Sequence, residues 1–380
     1  MGSLDTLDFR RLLASIPGPN PAGKALRTDF SPTSLYQRIK DARSAARAVE
    51  RNMVWGDDRD SQTAGPRAEW KRLLDLAPQA LAEESKDLEI AAWLTEALVR
   101  EHGYAGLRDG FRLLRELSES FWEVLYPLPD EDGVATRLAA VAGLNGEESD
   151  GVLIAPIANV PVTVAGGCRA LSLADYRRAL DLERVSDPDK RAQRVQQGVV
   201  ALNVFEQAVR ESGREFYSGL FVDLDECCSE FDKLSAALDD KCGKDASGYA
   251  QAPPSSAIRS ALDACRNDLR GIMRRIFGDE GNRESGVSGG DTAIVPVEGQ
   301  PAEAVSVVRT REDAFRALLQ VAEYFKRTEP HSPVAYALEQ AVRWGRMSLP
   351  DLLSELIPDQ GAREQIFKVV GIRPAEQEST

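Results

Sequence analysis

The sequence predicts an all-α protein made of several helical bundles, and three observations support this prediction. Apolar residues recur every three or four positions through most of the chain, as on one face of an α-helix. Serine-proline pairs and serine- or threonine-x-x-aspartate motifs, which favour helix starts, precede several of these segments. The chain has 380 residues, 43% of them hydrophobic, which suffices for two or three domains with their own cores.

Residues 1–145 are predicted to form an N-terminal helical domain. Ser31 and the proline after it begin one helix, and Ser85 is expected to cap a second. A short glycine turn at Gly103 separates that helix from the next, and Pro127 lies in the break that follows. The large apolar residues of these helices have core spacing, which indicates a bundle.

Residues 146–277 are predicted to be a middle region of long helices. Its first part, 151–164, is rich in β-branched residues and contains two prolines, so we expect a short extended segment or hairpin there. Ser172 and Asp175 have the spacing of a capping box. The predicted long helices run from Asp187 toward Arg210, from Arg214 to Leu238, and from Pro254 to Phe277.

Glycine, serine, proline and acidic residues dominate residues 278–309, which predicts a flexible linker. A small C-terminal helical domain, residues 310–372, is expected to follow. Capping motifs at Thr310, Ser332 and Ser348 begin its first three helices, and a fourth is predicted over residues 363–370. The domain is rich in leucine, valine and tryptophan, so an apolar face of it can support self-association.

Several large side chains are candidates for an assembly surface. Trp55 lies in a polar loop predicted over residues 52–66, which favours an interface anchor over a core residue. Trp344 suits either packing between the C-terminal helices or contact with another subunit, because tryptophan is enriched in both settings. The predicted interface residues are Trp55, Phe315, Leu318, Tyr336, Trp344, Met347, Leu352 and Leu353.

Residues suited to catalysis are scarce, and we expect no catalytic, cofactor-binding or metal-binding site and no enzyme activity. The two histidines, His102 and His331, stand beside helix ends without a nucleophile or a ligand partner nearby in sequence. The five cysteines form no C-x-x-C pair, and Cys227 and Cys228 are adjacent, which would point them in different directions on a helix. An enzyme that uses an unrecognised site, such as a cysteine, is the alternative.

Charge and hydropathy restrict the partners. A net charge of −14 provides no basic surface for a phosphate backbone, so we expect no nucleic-acid partner. The chain contains no apolar run of the roughly 18 residues that a membrane span needs, and its first residues do not form a signal peptide. An odd number of irregularly spaced cysteines indicates reduced thiols. These features together predict a cytoplasmic protein that does not insert into a membrane.

Two ordered sets of motifs resemble the ImpA/TssA family of type VI secretion proteins. The N-terminal match covers roughly residues 15–130, and the C-terminal match covers roughly residues 310–357. The N-terminal motifs are S-K-D-L at Ser85–Leu88, W-L at Trp93 and Leu94, G-x-x-G-L at Gly103–Leu107, and W-x-x-L-Y-P at Trp122–Pro127. The C-terminal similarity includes the segment Tyr324–Ile357, with its Y-F-x-R-T-E-P-x-S-P-V run.

This resemblance implies a non-enzymatic assembly component of the type VI secretion machine. Family members form ring-like oligomers through the C-terminal region and carry flexibly linked N-terminal arms. The implied partners are other copies of the chain together with baseplate, sheath, inner-tube and membrane-complex proteins. The short C-terminal domain favours the baseplate-associated form, with a cap at the sheath end as the alternative. A generic helical adaptor outside secretion is a further alternative.

Overall fold

The computed structural model describes residues 2–55, 66–131, 133–146, 150–164, 169–244, 251–278, 311–328 and 333–356. It is all-α, as predicted. The helices are α1 (Phe9–Leu12), α2 (Leu35–Trp55), α3 (Pro66–Glu83), α4 (Leu88–Phe121), α5 (Val134–Asn145), α6 (Ile154–Asn159), α7 (Leu173–Glu183), α8 (Pro188–Gln196), α9 (Leu202–Cys242), α10 (Ser256–Phe277), α11 (Arg311–Thr328), α12 (Pro333–Arg346) and α13 (Leu349–Leu356).

The chain divides into two compact units, Met1–Val287 and Ser288–Thr380. In the first unit, α4 is the central helix and packs against α3, α5 and α9, while α10 packs along α9. One continuous core of buried side chains extends from Phe9 in α1 to Ile272 in α10. The predicted sections 1–145 and 146–277 both contribute to this core. That each is a domain of its own stays a prediction.

Two glycines produce the bend in α4. Gly103 has φ +57° and ψ −138°, a backbone conformation that favours glycine, and it separates two helical halves as the sequence predicts. Gly106 lies against the end of the first half, because an added Cβ there would sit 2.4 Å from the carbonyl oxygen of Leu98. The G-x-x-G spacing therefore combines a turn with a close approach of two helix ends.

Gly106→Ala is expected to destabilise the protein by about 1–3 kcal/mol, because its methyl group would displace the Leu98 carbonyl. Gly219→Ala, at an unobstructed position in α9, is the control and should be neutral or stabilising by up to about 1 kcal/mol. Urea unfolding of both variants measures these changes. Equal stabilities for the two variants would contradict the close approach.

The start of α4 corrects one prediction. Asp87, not Ser85, is the N-cap, and its carboxylate accepts hydrogen bonds from the backbone N–H groups of Glu89 and Ile90. Ser85 lies two residues earlier, in an extended stretch that forms an isolated bridge with Gly23. Both residue types favour the N-cap position, and both residues form isolated bridges, Ser85 with Gly23 and Asp87 with Tyr126, so the start of the helix at Leu88 decides between them.

The predicted extended segment at 151–164 is partly wrong. Residues Ile154–Asn159 form the short helix α6, and only the residues after it are extended, with an isolated bridge between Pro161 and Ser172. Pro156 fits this helix because it lies in the first turn, where its missing N–H has no helical partner to lose.

The predicted helix from Asp187 toward Arg210 is interrupted. The helix α8 ends at Gln196, Gly198 has φ +86°, and α9 begins at Leu202. No residue of α8 is buried, so no packed face extends the helix past this glycine. A second interruption occurs at Gly213, whose φ of +81° lies between the predicted end at Arg210 and the predicted start at Arg214.

The second unit contains α11, α12 and α13. The first two helices pack closely at Gly345, where an added Cβ would lie 2.6 Å from the ring of Phe315. The guanidinium groups of Arg311 and Arg346 lie 5.3 and 5.6 Å from the centre of the same ring. The predicted cap at Thr310 and the predicted helix over residues 363–370 lie outside the described residues.

Candidate assembly surfaces

A buried lysine joins three elements at the S-K-D-L motif. Lys86 is fully buried, and its Nζ donates hydrogen bonds of 2.7 Å to the carbonyl oxygens of Leu12 and Leu81. These oxygens lie near the ends of α1 and α3. The backbone of Lys86 donates to Ala22 and accepts from Tyr126. The motif therefore positions α1, α3 and the segment after α4 around the start of α4.

Burial shifts the two charges of this motif toward neutrality. It lowers the pKa of Lys86 from 10.5 to about 8 and raises the pKa of Asp87 from 3.8 to about 6. The Asp87 Oδ2 and the Ser85 Oγ have no hydrogen-bond partner within the described residues. The hydrogen bonds of this motif hold backbone segments together, so the motif has a structural role.

A second buried polar cluster surrounds Arg108, whose side chain is 9% exposed. Its guanidinium donates to Asp109 at 2.8 Å and to Glu226 of α9 at 2.7 Å. It also donates to the carbonyl oxygens of Ser3 and Leu4 at 2.9 and 3.2 Å. Burial would lower the pKa of Arg108, but the bonds to the two carboxylates outweigh burial and raise it. This cluster connects the N-terminal segment, α4 and α9.

The capping box predicted at Ser172 and Asp175 is confirmed. The Ser172 hydroxyl accepts from the Asp175 N–H, and the Asp175 carboxylate accepts from the Ser172 N–H. Asp175 also accepts from Arg169 at 2.7 and 2.9 Å. Burial would raise the pKa of Asp175, but the bonds from Arg169 and Ser172 outweigh burial and lower the pKa from 3.8 to about 2.

The stability contributed by Asp175 is expected to depend on pH. Its folded-state pKa lies below its unfolded value, so the contribution is present above about pH 4 and is lost as the pH falls toward 2. Asp175→Asn should cost about 1–2 kcal/mol at pH 7 and almost nothing near pH 2. Urea unfolding at pH 7, 4 and 2.5 measures this difference. A cost that does not change with pH would show that the ionised carboxylate is not the stabilising species.

The buried cysteines are poorly suited to a reactive site. Cys227, Cys242 and Cys265 are buried, and burial raises the pKa of all three thiols, which disfavours the reactive thiolate. His102 lines a cavity of about 180 Å³ between the N-terminal segment, α3 and α4. The described residues contain no group of three side chains arranged to hold a metal ion. Cys168 and His331 lie outside the described residues.

The predicted interface residues of the C-terminal unit have different exposures. Tyr336 is 62% exposed, while Phe315, Leu318, Trp344, Met347, Leu352 and Leu353 are partly buried. The Trp344 Nε1 donates to Glu355 of α13 at 3.0 Å, so this tryptophan contributes to packing between helices. The predicted loop at 52–66 is wrong for its first residues, because α2 continues to Trp55, whose side chain lies outside the described residues.

The structure adds exposed apolar residues that sequence reasoning did not select for the interface. They are Leu319, Val321, Val334 and Leu356, each between 37% and 50% exposed. The apolar pattern of α11 could have indicated this exposure. Its apolar residues cover more of the helix circumference than one partner helix can bury. Together with Tyr336 they form the exposed apolar set of this unit.

Comparisons with known proteins agree with the motif resemblance. A family model described as ImpA, N-terminal, type VI secretion system, matches residues 13–146. The type VI secretion system component TssA1 of Pseudomonas aeruginosa is 28% identical over 372 residues, which are 93% of this chain and 96% of that protein. No helix within the described residues has both the length and the apolar character needed to span a membrane.

A solved structure is similar as well. It is the N-terminal domain, including the conserved ImpA_N region, of the TssA component of the type VI secretion system from Burkholderia cenocepacia. The match has a TM-score of 0.57 and 25% sequence identity, and it covers 72% of this chain and 96% of that one. These matches confirm the predicted resemblance to the ImpA/TssA family of type VI secretion proteins: residues 13–146 match its N-terminal model, and the chain is similar over most of its length to a TssA component.

Proposed function

We propose that this chain is a non-enzymatic scaffold of the type VI secretion machine that forms a ring through its C-terminal unit. In this role it works in the cytoplasm, links the baseplate to the membrane complex, and supports polymerisation of the inner tube and sheath. The observation that supports the proposal most is the exposed apolar set on the C-terminal unit, which is typical of a surface that another subunit covers.

The division of the chain suits this role. The first unit has an extensive core with buried polar contacts, so it can act as a rigid arm. Residues 278–309, rich in glycine, serine and acids, separate it in sequence from the C-terminal unit. Several arms attached to one ring would bind a multi-copy partner with high avidity, even when each contact is weak. Of the two specific roles, we prefer the baseplate-associated form over a sheath-end cap.

The combined substitution Leu319→Glu and Tyr336→Glu is expected to reduce the oligomer to monomers, because it places charges on the exposed apolar set. Gln320→Glu is the matched control, since Gln320 is an exposed polar residue on the same helix as Leu319. Light scattering after size exclusion measures the mass of each variant. An oligomer of unchanged mass in the double variant would place self-association on another surface.

The secretion role is tested in the host bacterium. Deletion of the gene should abolish assembled sheaths and remove the inner-tube protein from the culture medium. The wild-type chain should restore both, while the double variant should not. Normal secretion after deletion would favour the alternative of a helical adaptor outside the secretion machine.

A further inference from the structure

The helix α5 presents a solvent-exposed face without charged residues. Leu138, Val141 and Leu144 point into the core, and the exposed side consists of Ala135, Ala139 and Gly143. The one charged residue of the helix, Arg137, is buried and donates to the carbonyl oxygens of Trp122 and Pro127. Solvent-facing helix surfaces normally have charged or polar residues, so this surface is suited to contact with another chain.

This face forms one wall of an open furrow of about 700 Å³. The lining also includes Gln251, Ala252 and Pro253, and Asp150 contributes one acid. Asp150 also borders an adjoining concavity of about 420 Å³ between α6 and α10. The lining of the second concavity includes the small residues Gly151, Ala155, Ala158, Ala257, Ser260 and Ala261. Small side chains along both concavities would allow the backbone of an extended or helical segment to approach closely.

One cation belongs to the described lining of the furrow. Arg47 of α2 is half-buried, and its guanidinium makes no hydrogen bond or ion pair within the described part of the chain. The neighbouring arginines are compensated more fully, since Arg43 binds Glu96 at 2.6 Å and Arg100 binds Glu50 at 2.6 Å. Burial lowers the pKa of Arg47, Glu96 opposes this effect, and the nearby charges of Arg43, Arg100 and Arg51 add to it. The guanidinium therefore interacts with Glu96 only through space, and an incoming carboxylate would give it a direct hydrogen-bonded partner.

We propose that the furrow binds an acidic amphipathic segment of a partner protein. Small apolar side chains of the segment cover α5, and one of its carboxylates pairs with Arg47. An open furrow with a single guanidinium in its described lining offers a small anion few contacts, whereas a peptide also buries the uncharged face of α5. The proposal does not depend on the ring, because the furrow lies entirely within residues 47–261.

Fluorescence anisotropy of the full chain tests this site with a labelled 16-residue probe made of glutamate, alanine and leucine in an amphipathic helical pattern. A second probe has glutamine in place of every glutamate. We expect the wild-type chain to bind the glutamate probe and to bind the glutamine probe at least about tenfold more weakly, as loss of a charged hydrogen-bonded pair implies.

Two substitutions should each weaken binding of the glutamate probe by at least about tenfold. Arg47→Glu replaces the cation of the described lining with a carboxylate, and Arg38→Glu is its control because Arg38 is exposed on the same helix. Gly143→Trp fills the furrow, since an added Cβ at Gly143 meets no atom within 4 Å. Gly271→Trp, at an equally open glycine of α10, is the control. Circular dichroism verifies folding, and Arg47→Glu alone suffices if Gly143→Trp does not fold.

Five results would overturn the proposal. The first is that the wild-type chain binds neither probe, and the second is that both probes bind equally. The third is that Arg47→Glu binds the glutamate probe as tightly as Arg38→Glu does. The fourth is displacement of the probe by inorganic phosphate at the probe's own concentration, which would indicate a small-anion site. The fifth is a mass of Arg47→Glu, measured by light scattering, that lies below the mass of the wild-type chain. This result would identify the furrow as a contact between copies of the chain and overturn the acidic-partner assignment.

Discussion

Replacing Arg108 with alanine is expected to lower the free energy of unfolding by about 3–5 kcal/mol, as for the removal of one partner from a buried ion pair. The side chain is 9% exposed and its guanidinium contacts Asp109, which is completely buried, and Glu226. Its removal would leave the Asp109 carboxylate without a counter-charge in the core. The carbonyl oxygens of Ser3 and Leu4 would also lose their donor. The N-terminal segment would then detach more easily from α4 and α9.

Urea unfolding followed by circular dichroism measures this loss. Arg67→Ala is the control, because Arg67 also pairs with a carboxylate, Glu101 at 2.9 Å, but its side chain is 74% exposed. That control should cost less than about 1 kcal/mol. If the two variants lose the same stability, the Arg108 cluster is not a structural junction. Hydrogen exchange should show the extra loss of protection in residues 2–8 first.

Replacing Lys86 with alanine is expected to cost about 3 kcal/mol or more, because two buried carbonyl oxygens lose their donor and a cavity forms. The ammonium group also lies 5.8 Å from the ring centre of Phe121, and this cation–π contact would be lost. Lys86→Met separates the contributions, since it retains most of the side-chain volume but has no donor. A methionine variant as stable as the wild type would contradict the role of the two hydrogen bonds.

The cost of Lys86→Ala should increase with pH above 8. The folded-state pKa of Lys86, about 8, lies below its ordinary value of 10.5. The unfolded chain therefore binds more protons between these values, and the wild-type protein gains stability relative to the variant as pH rises through this window. Unfolding at pH 7, 9 and 10 measures the change. A difference that stays constant would show that the Lys86 pKa is not depressed.

The helices were largely predictable because their signals are local. The bend at Gly103 follows from a glycine between two apolar patterns, and the Ser172 capping box follows from spacing within four residues. Local signals also caused the errors. Ser85 and Asp87 are equivalent as caps until the first residue of the helix, Leu88, is known. Pro156 suggested an extended segment, although proline is compatible with the first turn of a helix.

The buried polar contacts were not predictable because they join residues far apart in sequence. Arg108 meets Glu226 across 118 positions, and Lys86 meets Leu12 across 74. The furrow at α5 was missed for a related reason: an alanine-rich helix appears buried in the sequence until its packing shows which side is exposed. The exposure of Tyr336, in contrast, agrees with its selection as an interface residue, although its role in assembly stays a prediction.

The solution mass of the full chain, compared with that of a chain ending at Phe277, tests the scaffold account most directly. The shorter chain retains the helices that form the core of the first unit. Light scattering after size exclusion should give a large, discrete oligomer for the full chain and a monomer for the shorter one. Two monomers would contradict ring formation and favour a simple adaptor. Two oligomers of the same subunit number would place self-association in the first unit and contradict the role assigned to the C-terminal helices.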